Sequence, residues 1–105
     1  MWWRVILIVY TLKLVEVAFD RAKNERNIKE RGFSFERAGD FDFETAVFVE
    51  DDRKDYGEKR IRSLGMLDGR LHALVFTMRG QVLRVISFRK AKTSEVRQYE
   101  EATQQ

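Results

Sequence analysis

Cysteine and proline are both absent, and histidine occurs once, at His72. Without cysteine the chain has no disulfide scaffold, no thiolate zinc site and no thiol nucleophile. One histidine excludes a metal site built from several imidazoles. Without proline no stretch reads as a stiff proline-rich linker. No run is long enough to span a membrane. The apolar stretch Val5–Leu12, between Arg4 and Lys13, holds eight residues, and a spanning helix needs about 20. The residues that follow it, Glu16-Val17-Ala18-Phe19-Asp20, make a poor leader-cleavage site. Trp2 and Trp3 beside Arg4 would suit a peripheral membrane contact. The β-branched and aromatic content of Val5–Leu12 favours an added strand instead.

What is present suits one small domain. The chain has 105 residues, 44% of them apolar and 35% charged, with a net charge of +3 and a pI of about 9.4. That balance allows a modest core under a heavily solvated surface. It is compatible with a polyanionic partner and equally with a basic surface that has none. A hard-ion site made of carboxylates alone, around Glu50, Asp51 and Asp52, stays open, although acidic runs usually form solvated loops.

The pattern along the chain predicts alternating short elements. Val15–Phe19 reads as a strand. Asp20 then stands where an N-cap belongs, its carboxylate able to accept from first-turn amides. A helix over Arg21–Arg31 follows and stops at Gly32. Its clearly apolar residues are Ala22 and Ile28, so it must lean on a partner surface or on the stems of its basic side chains. The i,i+4 pairs Glu25/Lys29 and Arg26/Glu30 would suit a solvated helix. Ser34 caps a short second helix from Phe35 to about Ala38. Thr45–Val49 is a candidate strand and Glu50–Glu58 a charged loop. A three-strand meander occupies about Arg60–Leu67, Arg70–Thr77 and Val82–Phe88, with turns at Asp68-Gly69 and Arg79-Gly80. Thr93 or Ser94 caps a last helix to about Ala102. Phe33, Phe35, Phe41, Phe43 and Phe48 read as core packing rather than as base-stacking platforms.

Two-residue turns would fix the register, and register fixes the faces. Arg70 then opposes Leu67, and Val75 opposes both Arg62 and Arg84. One face joins an apolar floor, with Ile86 and Phe88, to Arg60, Arg62 and Arg84, with Arg79 in the adjoining turn. Guanidinium groups grip phosphate oxygens as a fork and stabilise charge developing at phosphorus. RNA brings its own nucleophile, the 2′-hydroxyl. Such a cluster could therefore cleave RNA without metal, or simply pair with Glu44, Glu50, Asp51 or Glu58 at the surface. The other face ends in His72 and Ser87, with Arg70 and Arg89 beyond. His72 has the one side chain suited to acid–base work near neutrality, but a lone histidine on a half-buried strand also reads as a hydrogen-bonded structural residue.

One ordered set of motifs runs through most of the chain. It comprises Phe19-Asp20 with Lys23 and Asn27, Gly32-Phe33-Ser34-Phe35, Gly57-Glu58 with Arg60, Leu64-Gly65, Phe76-Thr77 with Arg79-Gly80, and Arg84-Val85-Ile86-Ser87 with Arg89, Ala91 and Tyr99-Glu100. This order resembles the BrnT family, toxins of bacterial type II toxin–antitoxin pairs related to RelE-like ribonucleases. The resemblance implies an α/β (α+β) fold with N-terminal helices packed on an antiparallel meander and a C-terminal helix. It implies a cytoplasmic, metal-independent endoribonuclease that needs no cofactor and inhibits translation. Its partners would be RNA and a DNA-binding, BrnA-like antitoxin that represses the shared operon, in a heterotetramer containing a toxin dimer, with no membrane. On this reading Arg60, Arg62, Arg79 and Arg84 are the catalytic candidates, and Lys23, His72 and Arg89 contact RNA. The family's helix often ends Lys-His-Gly, whereas Glu30-Arg31-Gly32 stands here, so roles of that lysine and histidine do not carry over. Such chains usually begin just before the Phe-Asp pair. Residues 1–14 are therefore expected to be an atypical extension, arising from upstream translation, before a single domain over 15–105.

Overall fold

A computed structural model describes residues 16–51 and 57–104. The expected extension over 1–14, the strand within it, and Asp52 of the acidic run lie outside these residues. Strand β1 spans Val17–Phe19 and helix α1 Arg21–Arg31; a 3-10 helix covers Phe35–Asp40. Strands β2 (Val47–Asp51), β3 (Arg60–Leu67), β4 (Arg70–Arg79) and β5 (Val82–Lys90) precede helix α2 (Thr93–Thr103). The fold is α+β around a five-stranded mixed sheet of order β1-β5-β4-β3-β2. Neighbouring strands β2 to β5 pair antiparallel, and β1 joins β5 in parallel. The sheet therefore extends the expected meander by one strand on each side.

Local signals in the sequence explain most boundaries. The Asp20 carboxylate accepts from Lys23 N at 2.9 Å, and Gly32 closes α1 in a left-handed conformation that a side chain would resist. Ser34 Oγ accepts from Glu36 N and opens the 3-10 helix. Asp68 and Gly69 both have positive φ, as a type I′ hairpin requires. Arg37 grips the Asp68 carboxylate through two bonds of 2.8 and 2.9 Å, which ties the 3-10 helix to this turn. The cap of α2 differs from expectation. Neither Thr93 nor Ser94 supplies it; the Glu95 carboxylate reaches back to accept from Lys92 N at 2.8 Å.

Helix α1 is held by asparagines rather than by an apolar face. Asn24 Oδ1 accepts from Phe35 N and Ser34 Oγ, and buried Asn27 donates to Phe33 O at 3.1 Å. The pairs Glu25/Lys29 and Arg26/Glu30 do not form ion pairs, so these side chains stay open to solvent or ligand.

The core lies on one face of the sheet. Ile61, Leu74, Phe76, Val85 and Phe88 project into it, met by Phe35, Phe41, Phe43 and Phe48. Phe41 packs so closely on β3 that a Cβ at Gly65 would stand 2.5 Å from its ring, which accounts for a glycine in mid-strand.

The second hairpin corrects the expected register. Its turn is Gly80-Gln81, with Arg79 paired to Val82, so Arg84 faces Thr77 rather than Val75. A β-bulge then inserts one extra residue, Ile86: Val85 pairs with Phe76, while Ser87 pairs with Val75. Beyond it every side chain of β5 changes face. Phe88, expected on the arginine face, is fully buried in the aromatic core. Arg89, expected beside His72, moves to the arginine face opposite Ala73.

Candidate functional site

The arginine face carries three rows across the strands. Arg84, Thr77, Arg60 and Asp51 form one; Ser87, Val75, Arg62 and Val49 the next; Arg89, Ala73, Leu64 and Val47 the third. Arg62 and Arg89 are thus brought towards each other across the small side chains Val75 and Ala73. Helix α2 leans over this end of the sheet, against β2 and β3. The result is a cleft of about 370 Å³ lined by Arg60, Arg62, Arg89 and Lys92 with Asp51, Ser87 and Glu95. A second hollow of about 300 Å³ adjoins it through Arg62, Val75 and Arg89, and its floor of Val47, Leu64 and Ala73 is apolar.

Arg89 is preset in this cleft. Its two terminal nitrogens bond the two carboxylate oxygens of Glu95 at 2.7 and 2.9 Å. That fork, reinforced by the Lys92 amide and opposed by burial, lowers the Glu95 pKa to about 2. The pairing also raises the pKa of Arg89. Glu95 is consequently a fixed anion and a poor proton acceptor at neutral pH. No ion pair or hydrogen bond engages the Arg62 side chain among the described residues, which leaves its fork available.

The remaining candidates sit further away. Arg84 shares the face but stands across Thr77 from Arg60, about 10 Å away by two strand spacings. Arg79 lies at the far end of β4, exposed, at 3.3 Å from Glu58. Lys23 is on α1, in a separate groove. His72 is not beside Arg89. It is 5% exposed on the core face, edge-on to Phe33 and Phe88, with Nδ1 at 2.8 Å from Arg70 O. Burial chiefly lowers its pKa, so the ring is held neutral. RNA cannot reach it without opening the core. The expected separation of two opposed sites therefore gives way to one basic face that includes Arg89.

Sequence reasoning missed Lys92 and Glu95 and misplaced Arg89. One signal was available: Val85-Ile86 breaks the alternation of β5 by setting two apolar residues side by side, as a bulge does. Among the described residues no cluster of acidic or histidine side chains could hold a metal ion, and no helix is long and apolar enough to cross a membrane.

Comparison with known families decides the lineage. Residues 19–95 match the family model of the ribonuclease toxin, BrnT, of type II toxin–antitoxin systems. The chain belongs to the BrnT family. A comparison with curated proteins gave no match. The matched span runs from the last residue of β1 to Glu95, so strands β2 to β5 and the arginine face they carry fall inside it. BrnT membership makes this a toxin of the ribonuclease class with an antitoxin as partner.

Proposed function

We propose that the chain is a metal-independent endoribonuclease that stops translation in the cytoplasm by cutting RNA on the arginine face. The observation that carries this is the gathering of Arg60, Arg62, Arg89 and Lys92 into one cleft at the end of the sheet. A scissile phosphate seated there would meet the free fork of Arg62. The 2′-hydroxyl oxygen attacks phosphorus while the bond to the 5′-oxygen breaks. The hydroxyl proton leaves to water or to a carboxylate other than Glu95, and the departing 5′-oxygen takes up a proton. The products are a 2′,3′-cyclic phosphate and a 5′-hydroxyl end. Arg60 and Arg62 stabilise the charge that builds on the phosphoryl oxygens, Arg84 does so from across Thr77, and Arg79 guides the strand at the far end. The apolar floor beside Arg62 gives one base a dry surface.

The arrangement of helices around an antiparallel meander also supports a RelE-like relationship. A BrnA-like, DNA-binding antitoxin would cover the basic face, with paired toxins in the heterotetramer. A second reading draws on a different observation: no histidine lines the cleft, since His72, the one histidine of the chain, is buried on the other face. The face would then only bind RNA, or would act only on a ribosome that supplies further groups.

One assay separates these readings. The antitoxin-free chain is incubated with labelled single-stranded RNA and a chelator, and the product ends are mapped. Discrete cyclic-phosphate ends are expected, with Arg62→Ala lowering the rate about 10²–10³-fold. Salt-sensitive binding without cleavage would overturn the free-enzyme reading and move the test to translating ribosomes.

A further inference from the structure

A second basic groove lies on the opposite side of β5. Strand β1 pairs with β5 only from Leu83 to Val85, so among the described residues the edge from Ile86 onward has no strand beside it. Helix α1 borders that edge and leaves a groove of about 340 Å³. The α1 residues lining it, Lys23, Arg26, Asn27, Glu30 and Arg31, share one helix face by their i,i+3/i+4 spacing. Three cations thus meet one carboxylate, and Glu30 does not neutralise Arg26. Arg31 is held in place: buried Asn27 is oriented by Phe33 O and accepts from Arg31 at 2.8 Å. Both this groove and the arginine cleft are lined by Ile86 and Ser87, so the two meet at the bulge.

We propose that the α1 groove is a second RNA-strand site, holding phosphates next to the one in the arginine cleft. The inference rests on the reading that the cleft takes RNA and adds the path the strand follows over the bulge. A single strand suits this path because it bends freely and presents a phosphate at every nucleotide, whereas a stiff duplex would not turn from one side of β5 to the other. The contacts are ionic and sequence-independent, so they set affinity and strand length rather than the position of the cut.

The test uses the full chain with Lys23→Gln and Arg26→Gln together, both exposed and, among the described residues, free of ion pairs. Arg31 is left in place because it bonds to buried Asn27. Binding is read with a 2′-O-methyl strand of about a dozen nucleotides, which spans both clefts and resists cutting. Affinity should fall about tenfold, and the slope of log K against log salt should shrink by about 1.4, or 0.7 per cation lost. Cleavage of a dinucleotide should be unchanged, which also shows that the fold is intact. An unchanged affinity and slope would overturn the proposal. So would an equal loss on the dinucleotide, or a loss of binding to polyglutamate but not to RNA. If the parent chain cuts nothing yet the slope shrinks, catalysis fails and the groove stands.

Discussion

Glu95 illustrates how one residue can organise a site without entering the chemistry. It caps α2 and sets Arg89 in the cleft through a two-pronged ion pair. Its pKa is depressed from 4.5 to about 2, so the folded state binds fewer protons than the unfolded chain in that window. The resulting stability is fully present above about pH 4.5 and is lost as pH falls through about 2. The shift corresponds to an order of 3 kcal/mol. Glu95→Gln should therefore be less stable than the parent by about 2–3 kcal/mol at pH 7, with the gap closing between pH 5 and 2. Urea unfolding at a series of pH values checks this, and a gap that stays constant would discount the ion pair as its source. His72 acts in the same direction. Its lowered pKa keeps it neutral in the fold, so its contribution is full above about 6.5 and falls as acid charges the unfolded chain.

At the scale of elements, α1 is the least conventional piece. An amphipathic helix usually docks by an apolar stripe, yet here Ile28 is 46% exposed and Asn27 is buried. Two asparagines bonded to the Phe33–Phe35 segment stand in for that stripe. Asn27→Ala should leave Phe33 O without its donor and release Arg31, costing about 1–3 kcal/mol. Hydrogen exchange should show faster opening of α1 amides while β3 to β5 stay protected; unchanged α1 protection would mean that the asparagine is not the tether. The existence of the helix was legible, since Asp20 and Gly32 act within one turn of themselves. Its mode of attachment was not, because the partner carbonyl lies six residues away and must be brought back by the chain. Strand β5 repeats the lesson. Its place after a glycine turn was readable, but the slip of that turn was not, and the bulge at Ile86 left only the adjacent apolar pair Val85-Ile86 as its trace. Strict alternation would have put Phe88 on the arginine face. The aromatic pocket formed by Phe33 and Phe41 draws it into the core, and Arg89 changes sides with it.

Across the whole molecule, a net charge of +3 says little until the cations are placed. Folding gathers several of them into two clefts that meet at one bulge, while Arg37 is taken up by Asp68 and Arg79 stays exposed beside Glu58. If the clefts hold separate phosphates of one strand, Arg62→Ala and the Lys23→Gln/Arg26→Gln pair should weaken binding additively, within about 0.5 kcal/mol. Fluorescence titration of the combined variant checks this; a combined loss no larger than either alone would mean that both sets grip the same phosphate.

By itself the sequence determined most of the element list, the caps of α1 and the 3-10 helix, the Asp68-Gly69 hairpin, the absence of thiol and multi-histidine chemistry, and the motif order that marks the BrnT family. Propensity, capping and turn chemistry act over a few residues, so they survive without a fold. The tertiary structure decided which arginines meet, that Arg89 joins them, and that His72 is sealed beneath Phe33 and Phe88. Those outcomes depend on strand register, and register is settled by burying large side chains that lie far apart in the chain.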